Sequence, residues 1–265
     1  EVGGERSYAS VLDIDHDVWL AVIAVPAAVL EQVIDQCIEK KVRGAVVLTA
    51  VDGTGVDMDA IVDRARRFGM RIIGPASMGI ATGRVKGDPG PAATVASGDD
   101  AGDDAGDETA ESSVGVQAAL VPVELPAGNV AISLQSGSLG ASLLQLASQM
   151  SMGISWFVSL GDKSDVSGND LLQFWEDDER TSVIAIYTES FGNPRRFARL
   201  APEVARRKPI VAVKAGRSAA GTRAASSHSA SLACLDVGVD ALFEQAGVIR
   251  TSTLEEMFDV AALLS

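Results

Sequence analysis

The sequence predicts an α/β protein with parallel sheets, because short, continuously apolar runs of strand length alternate with amphipathic helical stretches along much of its 265 residues. An apolar run over 18–25 is closed by Pro26, a helical pattern follows over 29–40, and a second run spans 45–48, giving β-α-β. A further helix is read over 57–68, with Asp57 as its N-cap and Gly69 at its end, before a short strand over 71–73. Continuous apolarity, without polar alternation, is what a strand covered on both faces requires.

Composition then changes. Between Gly87 and Ser113, Asp88, Asp99, Asp100, Asp103, Asp104, Asp107, Glu108 and Glu111 stand among Gly, Ala and Ser, with no basic residue. Such a stretch buries too little apolar surface to offset its ordering entropy, and it reads as an acidic linker or surface insertion, with a partner-binding acidic segment as the alternative. This divides the chain into residues 1–86, a linker or insertion over 87–126, and a second domain over 127–265.

In the second domain, strands are read over 130–134, 156–160, 183–187, 210–213 and 248–250. Helices are read over 139–150, 171–176, 194–206, 232–245 and 254–264. Five strands with intervening helices describe a flavodoxin-like, doubly wound parallel sheet, whose ligands gather at the carboxyl ends of the strands. The first domain reads as a partial Rossmann-like unit.

The net charge of −14 repels phosphate backbones and anionic headgroups, so nucleic-acid binding and charge-driven membrane attachment are not expected. Cys37 and Cys234 lie far apart without a metal or redox spacing, so they read as reduced structural thiols, and no metal site is expected. The longest apolar run, 18–30, contains Pro26 and falls short of the roughly 18 residues a membrane helix needs. A cytoplasmic protein is expected. The chain starts at Glu1 rather than Met, which points to an excised or incomplete chain.

Three places could carry chemistry. The turn Gln135-Ser136-Gly137-Ser138-Leu139-Gly140 runs into a helix, where small residues and free N–H groups favour an anion. Ordinary helix capping by serine explains the same residues equally well. Glu189 falls at the carboxyl end of a strand, where a carboxylate orients an imidazole, or where it serves the following Asn193-Pro194 helix start. His228 sits in Ala224-Ala225-Ser226-Ser227-His228-Ser229-Ala230, whose small side chains suit a nucleophile that meets more than one partner, although an isolated loop histidine is usually inert. The other histidine, His16, lies among Asp13, Asp15 and Asp17 and reads as solvated.

Together these features resemble the NDP-forming acyl-CoA synthetases, including the ADP-forming acetate–CoA ligases and the succinyl-CoA ligase alpha-like domain. The matching segments are Ser133 to Gly140, Ser159 to Val166, Tyr187-Thr188-Glu189-Ser190, Lys208-Pro209-Ile210-Val211, Ser226 to Ala233 and Gln245-Ala246-Gly247-Val248. Ala24-Val25-Pro26 and Ile73-Gly74-Pro75 look like the CoA-binding Rossmann-like domain that precedes it in the family. The resemblance implies a phosphohistidine at His228, positioned by Glu189, a phosphoryl group held by Ser136, Gly137 and Ser138, and CoA contacts at Val25, Pro26 and Thr49. It also implies ADP or ATP with Mg on an ATP-grasp module outside this chain, a small carboxylic acid or acyl-CoA as substrate, and an oligomeric assembly. The family's opening β-α-β unit has no counterpart before Glu1.

The family's usual Gly-Pro-Asn reads Gly74-Pro75-Ala76 here, its Ser-Gly-Asn reads Ser159-Leu160-Gly161-Asp162, and its His-Thr-Gly reads His228-Ser229-Ala230. The Asp162 carboxylate would repel a phosphate if it faced the site. Two other classes of function compete. One is an acyl-CoA-sensing module fused to a GNAT-type acetyltransferase, which the segments Val166 to Asp170 and Glu189 to Pro194 also resemble. The other is a flavodoxin-like electron carrier, which has no need of the histidine and glutamate.

Overall fold

A computed structural model describes residues 6–83, 115–120, 125–136, 139–215 and 236–265. A short 3-10 helix, Val11–Asp13, leads into β1 (Leu20–Ile23), α1 (Ala27–Glu39), β2 (Gly44–Val47), α2 (Met58–Arg67) and β3 (Arg71–Ile73). These strands form a parallel sheet in the order β1-β2-β3. Leu30, Ile34 and Cys37 of α1 recur at helical spacing, as do Ile61, Val62 and Ala65 of α2, and both stripes are buried. The α2 start is fixed as its sequence implies, since the Asp57 carboxylate accepts the Ala60 amide at 3.0 Å.

The rest of the chain contributes β4 (Gly79–Ala81), β5 (Gln117–Ala119), β6 (Ala127–Leu134), α3 (Gly140–Gln149), β7 (Ile154–Ser159), α4 (Gly168–Asp177), β8 (Val183–Thr188), α5 (Pro194–Ala205), β9 (Ile210–Lys214), α6 (Asp236–Ala246), β10 (Ile249–Thr251) and α7 (Leu254–Leu264). They build a seven-stranded sheet in the order β10-β9-β8-β6-β7-β4-β5. Strands β6 to β10 run parallel, and their order is that of the flavodoxin-like fold. Strand alternation distributes the core. Ile184 and Ile186 of β8 pack with α4, α5 and α6 on one face, while Val183 and Ala185 pack with α3 and α7 on the other.

Two strands were not legible in the sequence. β4 pairs antiparallel with β7, and β5 pairs antiparallel with β4. β5 falls in the stretch read as linker, and at three residues each these strands owe their form to backbone pairing rather than to a side-chain pattern.

The two sheets are joined along one seam. Beyond β7, the amides of Asp162, Ser164 and Val166 donate to the carbonyls of Pro75, Gly74 and Ile72 at 2.9–3.1 Å. Ser77 donates its hydroxyl to the Ser159 carbonyl at 2.6 Å, and the Met78 amide donates to the Ser159 hydroxyl at 2.9 Å. Val46 of β2 points into the same core as Ile80 and Leu160, whereas its neighbours Ala45 and Val47 face α1 and α2. The first sheet is thus covered on one face by its own helices and meets the second unit on the other.

Candidate functional site

The chain leaves β6 toward α3 on one face of the large sheet and leaves β8 toward α5 on the opposite face. These neighbouring parallel strands therefore open a crevice at their carboxyl ends, the topological switch point where such sheets bind ligands. Gln135, the first residue past β6, spans it. Its backbone amide donates to the Tyr187 carbonyl at 3.1 Å. Its side-chain oxygen accepts the amides of Glu189 at 2.8 Å and Ser190 at 2.9 Å, with the Thr188 hydroxyl and the Lys163 ammonium each at 3.2 Å. One carboxamide oxygen thus fixes the turn after β8 against the turn after β6.

Ser136 follows directly and is half-buried. The helix it leads into has Leu139 at its N-cap and no side-chain cap. The N–H groups at such a helix start are suited to an anion. Gly137, Ser138 and His228 lie outside the described residues. Glu189 is half-buried at the end of β8, and burial, helped by the Glu189 charge, raises the Tyr187 phenol above its usual range. Its position beside Ser190 belongs to the crevice; the α5 start is served instead by Asn193, whose side chain accepts the Arg196 amide at 3.0 Å, with Pro194 as the first helical residue.

Lys163 was not singled out by its sequence. It donates to the Ser190 hydroxyl at 2.7 Å, to the Ser190 carbonyl and to Gln135. Burial, reinforced by the repulsion of Lys214 and opposed by Glu189, pushes its ammonium down from 10.5 to about 8. Its backbone φ of +47° is unusual for a residue with a side chain and is held by the seam to the first sheet. The only signal in the sequence was its place four residues beyond the end of β7, on the ligand side of the sheet.

The other positions sort plainly. Asp162 is exposed. His16 is exposed beside Asp15, in keeping with a solvated histidine. In the first sheet, the Thr49 hydroxyl donates to the Val25 carbonyl at 2.6 Å, tying together the carboxyl ends of β1 and β2, and Pro26 is exposed beside them. α1 begins immediately after Pro26 without a side-chain cap. An uncapped helix start at the ends of parallel strands fits a phosphate-bearing ligand such as CoA. Among the described residues no group of three or more His, Cys, Asp or Glu is arranged to hold a metal ion, and no helix is long and apolar enough to cross a membrane.

Residues 127–264 match the model of the succinyl-CoA ligase-like flavodoxin domain, and residues 1–83 match that of a CoA-binding domain. This chain belongs to the succinyl-CoA ligase-like family of NDP-forming acyl-CoA synthetases. Within that family, it is 35% identical to an ADP-forming acetate–CoA ligase of Methanocaldococcus jannaschii, over all of this chain and 34% of the relative. It is 36% identical to the alpha subunit of the ADP-forming acetate–CoA ligase I of Pyrococcus furiosus, over all of this chain and 53% of that subunit. The chain therefore spans between about a third and a half of these relatives. Among solved structures, the dinucleotide-forming acetyl-coenzyme A synthetase 1 of Candidatus Korarchaeum cryptofilum, in complex with phosphate and ADP, superposes with a TM-score of 0.80 at 34% identity. That match covers 98% of this chain and 51% of the other.

Proposed function

We propose that this chain is the acyl- and phosphoryl-handling part of an NDP-forming acyl-CoA synthetase, interconverting acyl-CoA, phosphate and NDP with carboxylic acid, CoA and NTP through a phosphohistidine at His228. The observation that carries the reading is the Gln135 bridge, which joins the residue preceding Ser136 to the amides of Glu189 and Ser190 at the switch point. The likeness of nearly the whole chain to ADP-forming synthetases supports it over an acyl-CoA-sensing module of an acetyltransferase.

In this reading the start of α3, with Ser136, Gly137 and Ser138, holds the phosphoryl group by its N–H groups and dipole. His228 supplies the nitrogen lone pair that takes the phosphoryl group. Glu189 holds the proton on the other ring nitrogen and stabilises the charged imidazole. Gln135 keeps Glu189 in place. Val25, Pro26, Thr49 and the start of α1 hold CoA, which when bound supplies the thiol that carries the acyl group as a thioester. ADP or ATP with Mg belongs to an ATP-grasp domain or partner subunit, and the assembly is a cytoplasmic oligomer. Residues 1–86 form the CoA-binding unit, 87–126 a linker or insertion, and 127–265 the phosphoryl-transfer domain, with β4 of the first segment and β5 of the second lent to the large sheet.

The test uses the full-length protein, or this chain with its ATP-grasp partner, and γ-labelled ATP. Acid-labile, base-stable label is expected on the protein and is lost in His228→Ala. Acyl-CoA binding without any label would support the sensor instead.

A further inference from the structure

Next to the Gln135 bridge lies a cavity of about 20 Å³ with two unlike ends. Gln135, Lys163, Thr188 and Ser190 form one end and are hydrogen-bonded to each other. The other end is apolar. Phe191, Phe197 and Phe243 pack ring against ring there, with centroids 4.9–5.9 Å apart, alongside Leu172 and Ile186.

Asn169 lines the same cavity, is 2% exposed, and its side-chain oxygen has no hydrogen-bond partner among the described residues. Reversing the carboxamide does not help. Its nitrogen donates to the carbonyl of Asn193 at 3.2 Å and faces that of Phe191 at 3.5 Å, so the flipped form would set oxygen against oxygen. A buried acceptor fixed without a donor marks a cavity that the protein alone does not fill.

We propose that this cavity receives the alkyl part of a short-chain acyl group, with the Lys163 ammonium meeting the carboxyl oxygen at its polar end. The proposal rests on the phosphoryl-transfer reading. Starting from the thioester, a phosphate oxygen attacks the acyl carbon, the new C–O bond forms, the C–S bond breaks, and the thiol leaves with the proton from phosphate. Transfer to His228 then forms an N–P bond and breaks the P–O bond, whose electron pair leaves with the carboxylate. In the acyl phosphate, one oxygen separates the acyl carbon from phosphorus, so the acyl subsite must adjoin the phosphoryl subsite. Here it does, because Gln135 and Ser190 of the cavity are the chain neighbours of Ser136 and Glu189. The departing carboxylate gains a cation at Lys163. A space of about 20 Å³ admits roughly one group of methyl size.

The experiment measures kcat/KM for acetate, propionate and butyrate in the full-length protein with its nucleotide module. Phe191→Ala, which truncates a half-buried side chain, is expected to raise the butyrate-to-acetate ratio about tenfold. Phe191→Trp enlarges the same half-buried side chain at the apolar end and is expected to lower the same ratio severalfold. Lys163→Met is expected to raise KM for acetate about tenfold. Labelling of His228 from γ-labelled ATP needs no acid, so it is the control for the phosphoryl-transfer reading. An unchanged ratio in both chain-length variants with labelling retained would overturn the acyl subsite alone, as would loss of labelling in both. No label on the unmodified protein would overturn the phosphoryl-transfer reading, and the subsite with it.

Discussion

Arg71 of β3 and Asp165 in the loop after β7 form an ion pair at 2.9 Å in which the carboxylate is fully buried and the guanidinium about half exposed. Arg66 joins the same carboxylate at 2.6 Å, and the Ile72 amide donates to it at 2.7 Å. Asp165 therefore fastens the switch-point side of the large sheet to the small one, and the Asp165 contact raises the Arg71 guanidinium further above its usual range. Asp165→Ala strands the Ile72 amide, whereas Arg71→Ala leaves the carboxylate with Arg66 and that amide. The first is expected to cost about 3 kcal/mol and the second about 1 kcal/mol, read from urea unfolding. Equal costs would mean that the seam does not depend on the carboxylate.

The Gln135 bridge makes a local prediction. Gln135→Ala removes the acceptor from two amides and an ammonium, and the turn at Glu189 and Ser190 is expected to exchange its amide hydrogens at least tenfold faster, with about 1–3 kcal/mol lost. Gln135→Glu keeps an acceptor and should retain the protection. If both variants exchange as the unmodified protein does, the bridge is not what holds Glu189.

The part of this site that was legible and the part that was not differ for a physical reason. Asp57 and Asn193-Pro194 mark helix starts by local hydrogen bonding, so residues a few positions apart reveal them. Ser136 and Glu189 were visible because strand ends are ligand-side positions in any parallel sheet. Lys163, Asp165 and Asn169 act through partners distant in sequence, 27 residues for Lys163 with Ser190 and 94 for Asp165 with Arg71. No local pattern encodes such pairs. β4 and β5 escaped for a related reason, since β4 is defined by pairing with β7 and β5, and β5 by pairing with β4.

Ala76 is a position where a departure from the family shows its cost. It stands where the family's usual motif has Asn, and its φ of +55° lies in the left-handed region that Asn and Gly tolerate better than Ala. Ala76→Asn is expected to raise stability by about 0.5–1 kcal/mol in urea unfolding. The reverse holds at Gly161, also left-handed, where an added Cβ would stand 2.0 Å from the Pro75 carbonyl oxygen. Gly161→Ala is expected to lose more than about 2 kcal/mol, because backbone on both sides of the seam would have to move. A neutral Gly161→Ala would contradict the close packing of the seam.

Lys163 supplies a pH signature that separates its charge from its packing. Its ammonium is held down from 10.5 to about 8 by burial, so the folded protein releases this proton before the unfolded chain does. Between pH 8 and 10.5 the unfolded state binds more protons at this position, and the lysine's contribution to stability therefore rises with pH across that window. Below pH 8 the charge is buried at full cost. Lys163→Met removes the titration, so its stability relative to the unmodified protein should be highest at pH 7 and decline through pH 8 to 10. Binding of the acid runs the other way, because a neutral amine no longer attracts a carboxylate, and KM for acetate is expected to climb above pH 8 in the unmodified protein. Lys163→Arg keeps its charge throughout and should flatten that rise. A KM that climbs equally in the arginine variant would assign the pH dependence to another group.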